Sequence, residues 1–294
     1  MAIDRNRRID VFNETVTCSL NGEYVNKRGE HVKIPRMNDG LTLDSSQLYE
    51  KDAYPTLNQD VIGKMSAKTE IKVVDQDCLY AAKELVDEGY TTAVLNMASF
   101  KRPGGGVGNG SAAQEENLCR RTNLFESIFR FHSEMAKDYG LPIEKKQYPL
   151  KMNFGAVYSP SIAVFRGGED VNYEFLDEPF FVDVISVAAI KRPPLVNNHI
   201  EENSKEILRN KVRTILNLAL DWSNEAIVLG ALGCGAYGTP PDDMAEIFKE
   251  VLNEERYQNK FHKIVFAIID DHNTHKEHNP RGNFLPFKEI LEGK

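Results

Sequence analysis

The sequence predicts a layered α/β fold, and three observations support this prediction. From Ile71 onward, short apolar runs typical of strands alternate with segments whose apolar residues recur at helical spacing. Residues 180–189 form a nearly continuous apolar run, which is typical of a strand buried on both faces. Hydrophobic residues make up 41% of the 294 residues, which is enough for a substantial core. Strands that alternate with helices generally pack as a sheet covered by helices.

The N-terminal 70 residues are polar and only weakly periodic. Residues 5–20 are predicted to form an amphipathic helix. Its apolar side consists of Ile9, Val11, Phe12 and Val16. Residues 38–58 carry Asn-Asp-Gly and Tyr-Pro turn signals and are predicted to be mostly loop. We therefore expect residues 1–70 to be a helical extension packed on a main domain of residues 71–294.

The main domain supplies the other predicted elements. Strands are predicted at residues 71–74, 92–97, 180–189, 226–232 and 263–269. Helices are predicted at residues 78–89, 112–135, 207–219 and 240–252. Residues 153–158 and 162–165 are predicted to pair as a hairpin around Ser159-Pro160.

Composition excludes several classes of protein. The net charge of −8 argues against a protein that coats nucleic acid by bulk electrostatic attraction. No stretch approaches 18 consecutive apolar residues, so a membrane span is not expected. No apolar signal core is visible near the N-terminus. The four cysteines are widely scattered and are predicted to be reduced thiols, which is typical of a cytoplasmic protein. We expect a monomer.

A glycine-rich loop and an acidic block follow the strand predicted at residues 92–97. The loop is Gly104-Gly105-Gly106, and Gln114-Glu115-Glu116 follows after seven intervening residues. Consecutive glycines let backbone amides approach a ligand closely. Ser111 stands at capping-box spacing from Gln114, so a helix is predicted to begin near Ala112. The pattern suits an anionic or sugar-phosphate ligand beside a carboxylate aimed at a labile bond.

The same pattern has a plainer interpretation. A tight turn followed by a helix with acidic residues in its first turn is common, because carboxylates there are favoured by the helix dipole. The predicted buried stripe of this helix supports either interpretation, since it only anchors the helix. It consists of Leu118, Phe125, Ile128 and Phe129.

A second glycine loop covers residues 229–238. It lies between a predicted strand and a helix with Thr239 as expected N-cap and Pro240 at its first position. Free amides and the positive helix end make such a turn an anion site. Gly233, Gly235 and Gly238 also match the dinucleotide fingerprint. That alternative is disfavoured because the next strand ends in Asp270-Asp271, more than 30 residues after Gly238, rather than about 20.

Other candidate groups have simpler explanations. His272, His275 and His278 recur beside two aspartates and could bind a transition metal, but they lie in a polar loop rather than on a helix. Cys119 follows the glutamates, yet a buried structural thiol is favoured over a nucleophile. Four basic residues could contact an anionic ligand, although solvated surface cations are the commoner explanation. They are Lys101, Arg102, Arg120 and Arg121.

The spacing of the three glycines and the Gln-Glu-Glu block resembles the signature of the poly(ADP-ribose) glycohydrolases. The surrounding residues 103–107 and 114–121 are similar to the microbial-type branch of that family. The resemblance implies a macrodomain-like mixed sheet sandwiched between helices, preceded by a helical extension. It also implies hydrolysis of the ribose–ribose O-glycosidic bond of poly(ADP-ribose), or of a related ADP-ribosyl conjugate, to release ADP-ribose.

The resemblance also implies roles for individual residues. Glu116 would be the general acid and base, and Glu115 would hold the ribose hydroxyls. Asp77 would accept a hydrogen bond from the adenine amino group. Ser99 stands where the family tends to have a ribose-binding asparagine. Either Asn96 supplies that amide instead, or the ribose contacts are weaker. The remaining ADP-ribose ligands would be Gly104, Gly105, Gly106, Val107, Gln114, Gly233, Cys234, Gly235, Ala236, Tyr237 and Gly238.

The resemblance implies no metal and no other cofactor. Its expected partners are ADP-ribose, poly(ADP-ribose) or ADP-ribosylated macromolecules, without a membrane or bulk nucleic acid. A macrodomain that binds ADP-ribose without cleaving it is the alternative. The adjacent Glu115 and Glu116 favour catalysis, because recognition alone needs no paired acids at that point.

Overall fold

The computed structural model describes residues 3–34, 45–50 and 68–293. These residues contain eight α-helices, eleven strands and three short 3₁₀ turns. The helices are α1 Arg5–Asn21, α2 Cys78–Asp87, α3 Gln114–Arg121, α4 Leu124–Ile128, α5 Ser133–Asp138, α6 Glu202–Asp221, α7 Pro241–Leu252 and α8 Phe284–Glu292. The loop predicted at residues 38–58 lies mostly outside the described residues.

Seven strands form the main sheet, and the other four form two small hairpins. The strands are β1 Glu23–Val25, β2 His31–Lys33, β3 Gln47–Tyr49, β4 Glu70–Val74, β5 Thr92–Met97, β6 Ala156–Arg166, β7 Phe175–Val187, β8 Leu195–Val196, β9 His199–Ile200, β10 Ala226–Leu229 and β11 Lys263–Ala267. The chain divides into two compact units, which are described separately below. Unit 1 comprises residues 1–48, 98–150 and 157–186, and unit 2 comprises the remainder.

Unit 2 contains four parallel strands of the main sheet in the order β5-β10-β11-β4. Strand β10 is buried at every position, as expected of a central parallel strand. Helix α2 packs on β5 and β10, Phe248 of α7 packs edge-on against Phe266 of β11, and α8 packs on β4. The predicted strands and helices of this region are confirmed to within a few residues at most ends, although β10 ends three residues early.

Helix α7 begins one residue later than predicted. Pro240 is the N-cap and Pro241 the first helical residue, a position where proline costs no hydrogen bond. Thr239 therefore does not cap the helix, and its buried hydroxyl has no hydrogen-bond partner in the described structure. The prediction failed because two successive prolines are both compatible with the start of a helix.

Unit 1 contains three strands of the main sheet in the order β3-β6-β7. The last four residues of β7 are buried on both faces, whereas most of its first half is partly exposed. The hairpin predicted around Ser159-Pro160 is wrong, because β6 runs as one strand through it. Ser161 takes a positive φ of 51° there, and its N–H donates to the Asp183 carboxylate. The contact with Asp183 thus stabilises an irregular backbone position within β6, where the local sequence resembles a turn.

The long helix predicted at residues 112–135 is also wrong, because it is divided into α3, α4, a 3₁₀ turn and α5. Thr122 is extended and pairs with Val164 of β6. The Asn123 side chain accepts a hydrogen bond from the N–H of Ala163. Helix α3 begins at Gln114, with Ala113 rather than Ser111 in the capping position. The predicted apolar stripe is nevertheless buried.

Helix α1 confirms the N-terminal prediction. Asp4 caps its first turn, and Gly22 ends it at a φ of 75°. Phe12 is fully buried and packs edge-on against Phe125 and Phe129, with ring centroids 6.1 and 6.4 Å away. This aromatic cluster makes the helix part of the core of unit 1. No helix among the described residues is long and apolar enough to cross a membrane.

We predict that Phe12→Ala lowers the free energy of unfolding by about 3–5 kcal/mol, because it leaves a cavity in the aromatic cluster. Phe181→Ala is the matched control, since Phe181 is 42% exposed. The control should cost about 1 kcal/mol or less. Urea denaturation of both variants measures the difference. Equal losses would show that α1 is only loosely attached.

Candidate active site

The Glu115 carboxylate is buried and holds two separated points of the backbone. Its Oε2 accepts a hydrogen bond from the N–H of Ser99 at 2.7 Å. Its Oε1 accepts from the N–H of Gly104 at 2.9 Å. Glu115 is only 3% exposed, so its carboxylate depends on these donors in place of water. The loop 99–104 is therefore closed around one carboxylate.

Glu116 has a different environment from its neighbour. Its Oε1 accepts a hydrogen bond from the N–H of Gly106 at 2.7 Å. Its Oε2 has no hydrogen bond to the part of the chain that the structure describes. Helix α3 places both glutamates in its first turn, where the helix dipole favours carboxylates. The arrangement therefore provides one fully engaged carboxylate and one with an oxygen available.

Gly105 lies between the two glycines whose N–H groups bind the glutamates, and it cannot carry a side chain. Gly105 has a φ of 54°, which favours glycine. A Cβ at this position would lie 2.4 Å from Oε1 of Glu116 and 3.1 Å from Oε2 of Glu115. Gly104 is restricted in another direction, since its Cβ would lie 2.7 Å from the Phe129 ring. These two glycines let the backbone lie directly against the carboxylates and the aromatic core.

The amides of the first glycine loop donate to protein groups in this conformation. Those of Gly104 and Gly106 donate to the two glutamates. The N–H of Gly105 donates to the carbonyl oxygen of Arg102, and that of Val107 to the carbonyl oxygen of Gly104, each at 3.1 Å. These amides are therefore engaged with protein groups, and the contact of Gly104, Gly105 and Gly106 with ADP-ribose stays a prediction. The loop positions the carboxylates.

The N-terminal helix supports this loop from behind. The Arg5 guanidinium donates to the carbonyl oxygen of Asn109. Gly110 has a φ of 71°, and a Cβ there would lie 2.4 Å from the carbonyl oxygen of Arg5. Thr15 donates to the carbonyl oxygen of Arg120 at 2.6 Å. Helix α1 thus contacts both the turn after the glycines and the helix that carries the glutamates.

Two of the predicted surface cations are buried instead. Arg120 and Arg121 are 0% and 1% exposed, so the expectation of solvated side chains is wrong for both. Arg120 donates to the carbonyl oxygen of Ser111 and to the hydroxyl of Tyr173. Arg121 donates to the carbonyl oxygen of Arg166. Their guanidinium groups satisfy buried acceptors and fix the helix that carries the glutamates.

The second glycine loop, in unit 2, has the open amides that the first one lacks. The N–H groups of Gly233, Gly235 and Ala236 donate to no group in the described residues. The carbonyl oxygen of Tyr237 accepts a hydrogen bond from the N–H of Arg192 at 2.7 Å, which fixes the far side of the loop. Successive unpaired amides of this kind form an anion-binding concavity.

A family comparison identifies the kind of protein to which these groups belong. The model described as microbial-type PARG, catalytic domain, matches residues 13–167, which is more than half of the chain. The chain belongs to the microbial-type PARG catalytic-domain family. A macro domain model matches residues 184–248 of this PARG-family chain.

Solved structures of bacterial poly(ADP-ribose) glycohydrolases, abbreviated PARG, resemble the chain over most of its length. The Thermomonospora curvata enzyme is 26% identical over 97% of this chain and 99% of its own, with a TM-score of 0.76. The structure of that enzyme with the inhibitor ADP-HPD is 27% identical over 96% of this chain and 98% of its own, with a TM-score of 0.74. The Deinococcus radiodurans enzyme bound to ADP-ribose is 26% identical over 88% of this chain and 99% of its own, with a TM-score of 0.67. No curated protein matches the chain in a direct comparison.

These comparisons confirm three predictions for the PARG-family chain. It has a macrodomain-like α/β fold, it is an enzyme, and its class is poly(ADP-ribose) glycohydrolase. They do not address the roles of individual residues, which the geometry alone supports.

The other predicted site residues of this PARG-family chain are divided between the two units. Asp77 is the N-cap of α2, where its Oδ1 accepts from the N–H groups of Leu79 and Tyr80. Asn96 is fully buried in β5. Both belong to unit 2 with the second glycine loop. Val107 is buried and Gln114 partly exposed beside the glutamates in unit 1.

Two of the three candidate metal-ligating histidines of the PARG-family chain contact the backbone. His275 and His278 each contact a backbone carbonyl oxygen, of Pro280 at 3.2 Å and of Cys234 at 3.1 Å. No group of three ligating side chains occurs in the described parts of the chain. Cys119 is fully buried, and this burial raises the pKa of its thiol well above the usual value. A thiol with a raised pKa is a poor nucleophile.

Sequence reasoning missed two contributors to the site of this PARG-family enzyme. Ser99 acts through its backbone N–H, which no side-chain pattern reveals. Arg5 and Gly110 meet across 105 residues of sequence, and only the isolated glycine at position 110 marked that contact. Both contributions come from backbone approach, which depends on tertiary structure.

We predict that Gly105→Ala lowers glycohydrolase activity by about 10²-fold, because the new Cβ must displace the Glu116 carboxylate. Gly108→Ala is the matched control, since a Cβ at that glycine has no neighbour within 4 Å. Release of ADP-ribose from poly(ADP-ribose) measures both. A Gly105→Ala enzyme as active as the control would show that the close approach is unimportant.

Proposed function

We propose that this PARG-family enzyme hydrolyses the ribose–ribose O-glycosidic bond of poly(ADP-ribose) with Glu116 as its general acid and base. The observation that carries this assignment is the difference between the two carboxylates. Glu115 uses both oxygens to hold backbone amides, whereas Glu116 keeps Oε2 without a partner in the described structure. A proton-transfer group needs such an available oxygen within reach of the substrate.

The reaction then needs one carboxyl group in two protonation states. Cleavage passes through an oxocarbenium-like state, so Glu116 first gives its proton to the departing ribose oxygen as the glycosidic bond breaks. The resulting carboxylate accepts a proton from water, whose oxygen bonds to the anomeric carbon. The proton returned to Glu116 completes the cycle. Gly106 holds the carboxylate in place through its N–H throughout.

We assign Glu115 a positioning role as well as the contact to ribose hydroxyls that the resemblance implies. Its carboxylate accepts hydrogen bonds from the N–H groups of Ser99 and Gly104 and so fixes the loop between them. Without it, the backbone beside Glu116 would lose its anchor. The substitution of Glu115 should therefore disturb binding and rate together.

ADP-ribose is the ligand we propose for the second glycine loop. The open amides of Gly233, Gly235 and Ala236 suit the oxygens of a diphosphate, as backbone amides often bind phosphate. The Deinococcus radiodurans structure contains ADP-ribose, which supports this choice of ligand. Tyr237 would contact the distal ribose region, and Asp77 would accept from the adenine amino group.

Several features of the proposal rest on the sequence alone. The division into an extension of residues 1–70 and a catalytic domain of residues 71–294 stays a prediction. A monomer, a cytoplasmic location and the absence of bulk nucleic-acid binding are predictions as well. The alternative of a macrodomain that only binds ADP-ribose is not favoured, given the catalytic-domain match.

We predict that Glu116→Gln lowers turnover by about 10²–10⁴-fold with little change in ADP-ribose affinity. Glutamine keeps an oxygen to accept from Gly106 but has no transferable proton. Turnover on poly(ADP-ribose) and calorimetric affinity for ADP-ribose test this prediction. Near wild-type release of ADP-ribose by folded Glu116→Gln would rule out the assignment.

Glu115→Gln provides the matched comparison for that experiment. Its single oxygen can accept from only one of the Ser99 and Gly104 amides, so its NH₂ group must face the other N–H. We predict that both ADP-ribose affinity and turnover fall in this variant. If its affinity equals that of wild type, Glu115 does not position the site.

We also predict that ADP-ribose raises the melting temperature of the enzyme, whereas NADH does not. Ligands that bind the folded state stabilise it by mass action. Thermal denaturation with each ligand tests the prediction. Stabilisation by NADH alone would revive the dinucleotide interpretation of the second glycine loop.

A further inference from the structure

Two cations lie at the exposed end of the loop that Glu115 closes. The loop begins at Ser99 and ends at Gly104, and both N–H groups bind the same carboxylate. Lys101 and Arg102 occupy its middle and are exposed. We call these two residues the cationic tip. Because two residues of chain reach at most about 7 Å, the backbone of the tip stays close to the glutamates.

The backbone on either side of the cationic tip is fixed. The carbonyl oxygen of Phe100 accepts from the N–H of Leu150 at 3.0 Å. The carbonyl oxygen of Arg102 accepts from the N–H of Gly105 at 3.1 Å. The two side chains therefore extend from a held backbone beside the glutamates, and their charges stay near the active site.

The cationic tip is not neutralised by the protein. Neither Lys101 nor Arg102 forms an ion pair with a carboxylate among residues 3–34, 45–50 and 68–293. Many other cations of the chain are paired, for example Lys83 with Asp87 and Arg8 with Glu169. Two unpaired cations beside the active site are notable in a protein with a net charge of −8. They create a local positive field for an anionic ligand.

We propose that Lys101 and Arg102 bind phosphate groups of poly(ADP-ribose) units outside the unit that the active site holds. This inference rests on the proposed function. Each unit of the polymer carries a diphosphate, so a chain running past the glutamates presents successive negative charges. An acidic protein would repel such a chain unless cations near the site attract it. The cationic tip makes the enzyme selective for polymer over a single ADP-ribose group.

The test compares two variants that lose the same charge. The first is the double variant Lys101→Gln/Arg102→Gln. The control is Lys27→Gln/Lys68→Gln, which removes two exposed cations from segments outside the glycine–glutamate site. Both changes make the net charge more negative by the same amount. Any difference between them therefore reports the position of the charge.

We expect the tip variant to lose about tenfold in kcat/KM on long poly(ADP-ribose) at low salt, in line with the size of electrostatic steering. The loss should shrink at an ionic strength of about 0.15 M or more, where the Debye length is about 8 Å. The control should retain its kcat/KM. The calorimetric affinity of the tip variant for free ADP-ribose should stay at the wild-type value, because ADP-ribose has no outer units.

Three results would overturn the inference. They are equal losses in the two double variants, an unchanged kcat/KM of the tip variant, and a parallel loss of ADP-ribose affinity. The last would place the tip in contact with the bound unit itself. Failure of the proposed function would be seen in a different measurement. A wild-type protein that releases no ADP-ribose from polymer would exclude that function before any variant is compared.

Discussion

The candidate active site depends on the two hydrogen bonds that the buried Glu115 carboxylate accepts from the backbone. A buried carboxylate without donors is strongly destabilising. The chain meets this requirement by bringing the amides of Ser99 and Gly104 to the two oxygens. That closure in turn places Gly105 so close to Glu116 that no side chain can be accommodated. The carboxylates thus account for Gly105, whereas Phe129 restricts Gly104 and Ser111 restricts Gly106.

The surrounding structure keeps these carboxylates fixed. Helix α3 is only eight residues long, so it is held mainly by tertiary contacts. Buried Arg120 binds the backbone ahead of the helix, and Thr15 of α1 binds the carbonyl oxygen of Arg120 itself. Phe12 closes the aromatic cluster behind the glycines. The N-terminal helix therefore supports the elements of unit 1 that carry the two glutamates.

The sequence predicted those features that depend on local spacing. Strand β5 was predicted to the residue, and the glycine and glutamate block correctly indicated the family. The long helix failed because Thr122 and Asn123 bind strand β6, whose position is not encoded nearby. Arg120 was predicted to be solvated, since charge usually indicates exposure. Its burial depends on distant acceptors such as Tyr173, which no local pattern reveals.

The roles of the two glycine loops also differ from the local expectation. Both sequences permit open amides, but the first loop uses its amides on the glutamates, whereas the second leaves them available. Only the hydrogen-bond partners distinguish a loop that shapes the site from one that can receive an anion. Both loops are rich in glycine, so composition alone does not distinguish their roles.

A crystal structure of the enzyme with bound ADP-ribose tests the central claim most directly. Our account predicts that the distal ribose lies within hydrogen-bond distance of Oε2 of Glu116, directly or through one water. It also predicts that Ser99 and Gly104 still donate to Glu115. A distal ribose that contacts neither oxygen of Glu116, with another acid beside its anomeric carbon, would contradict the account.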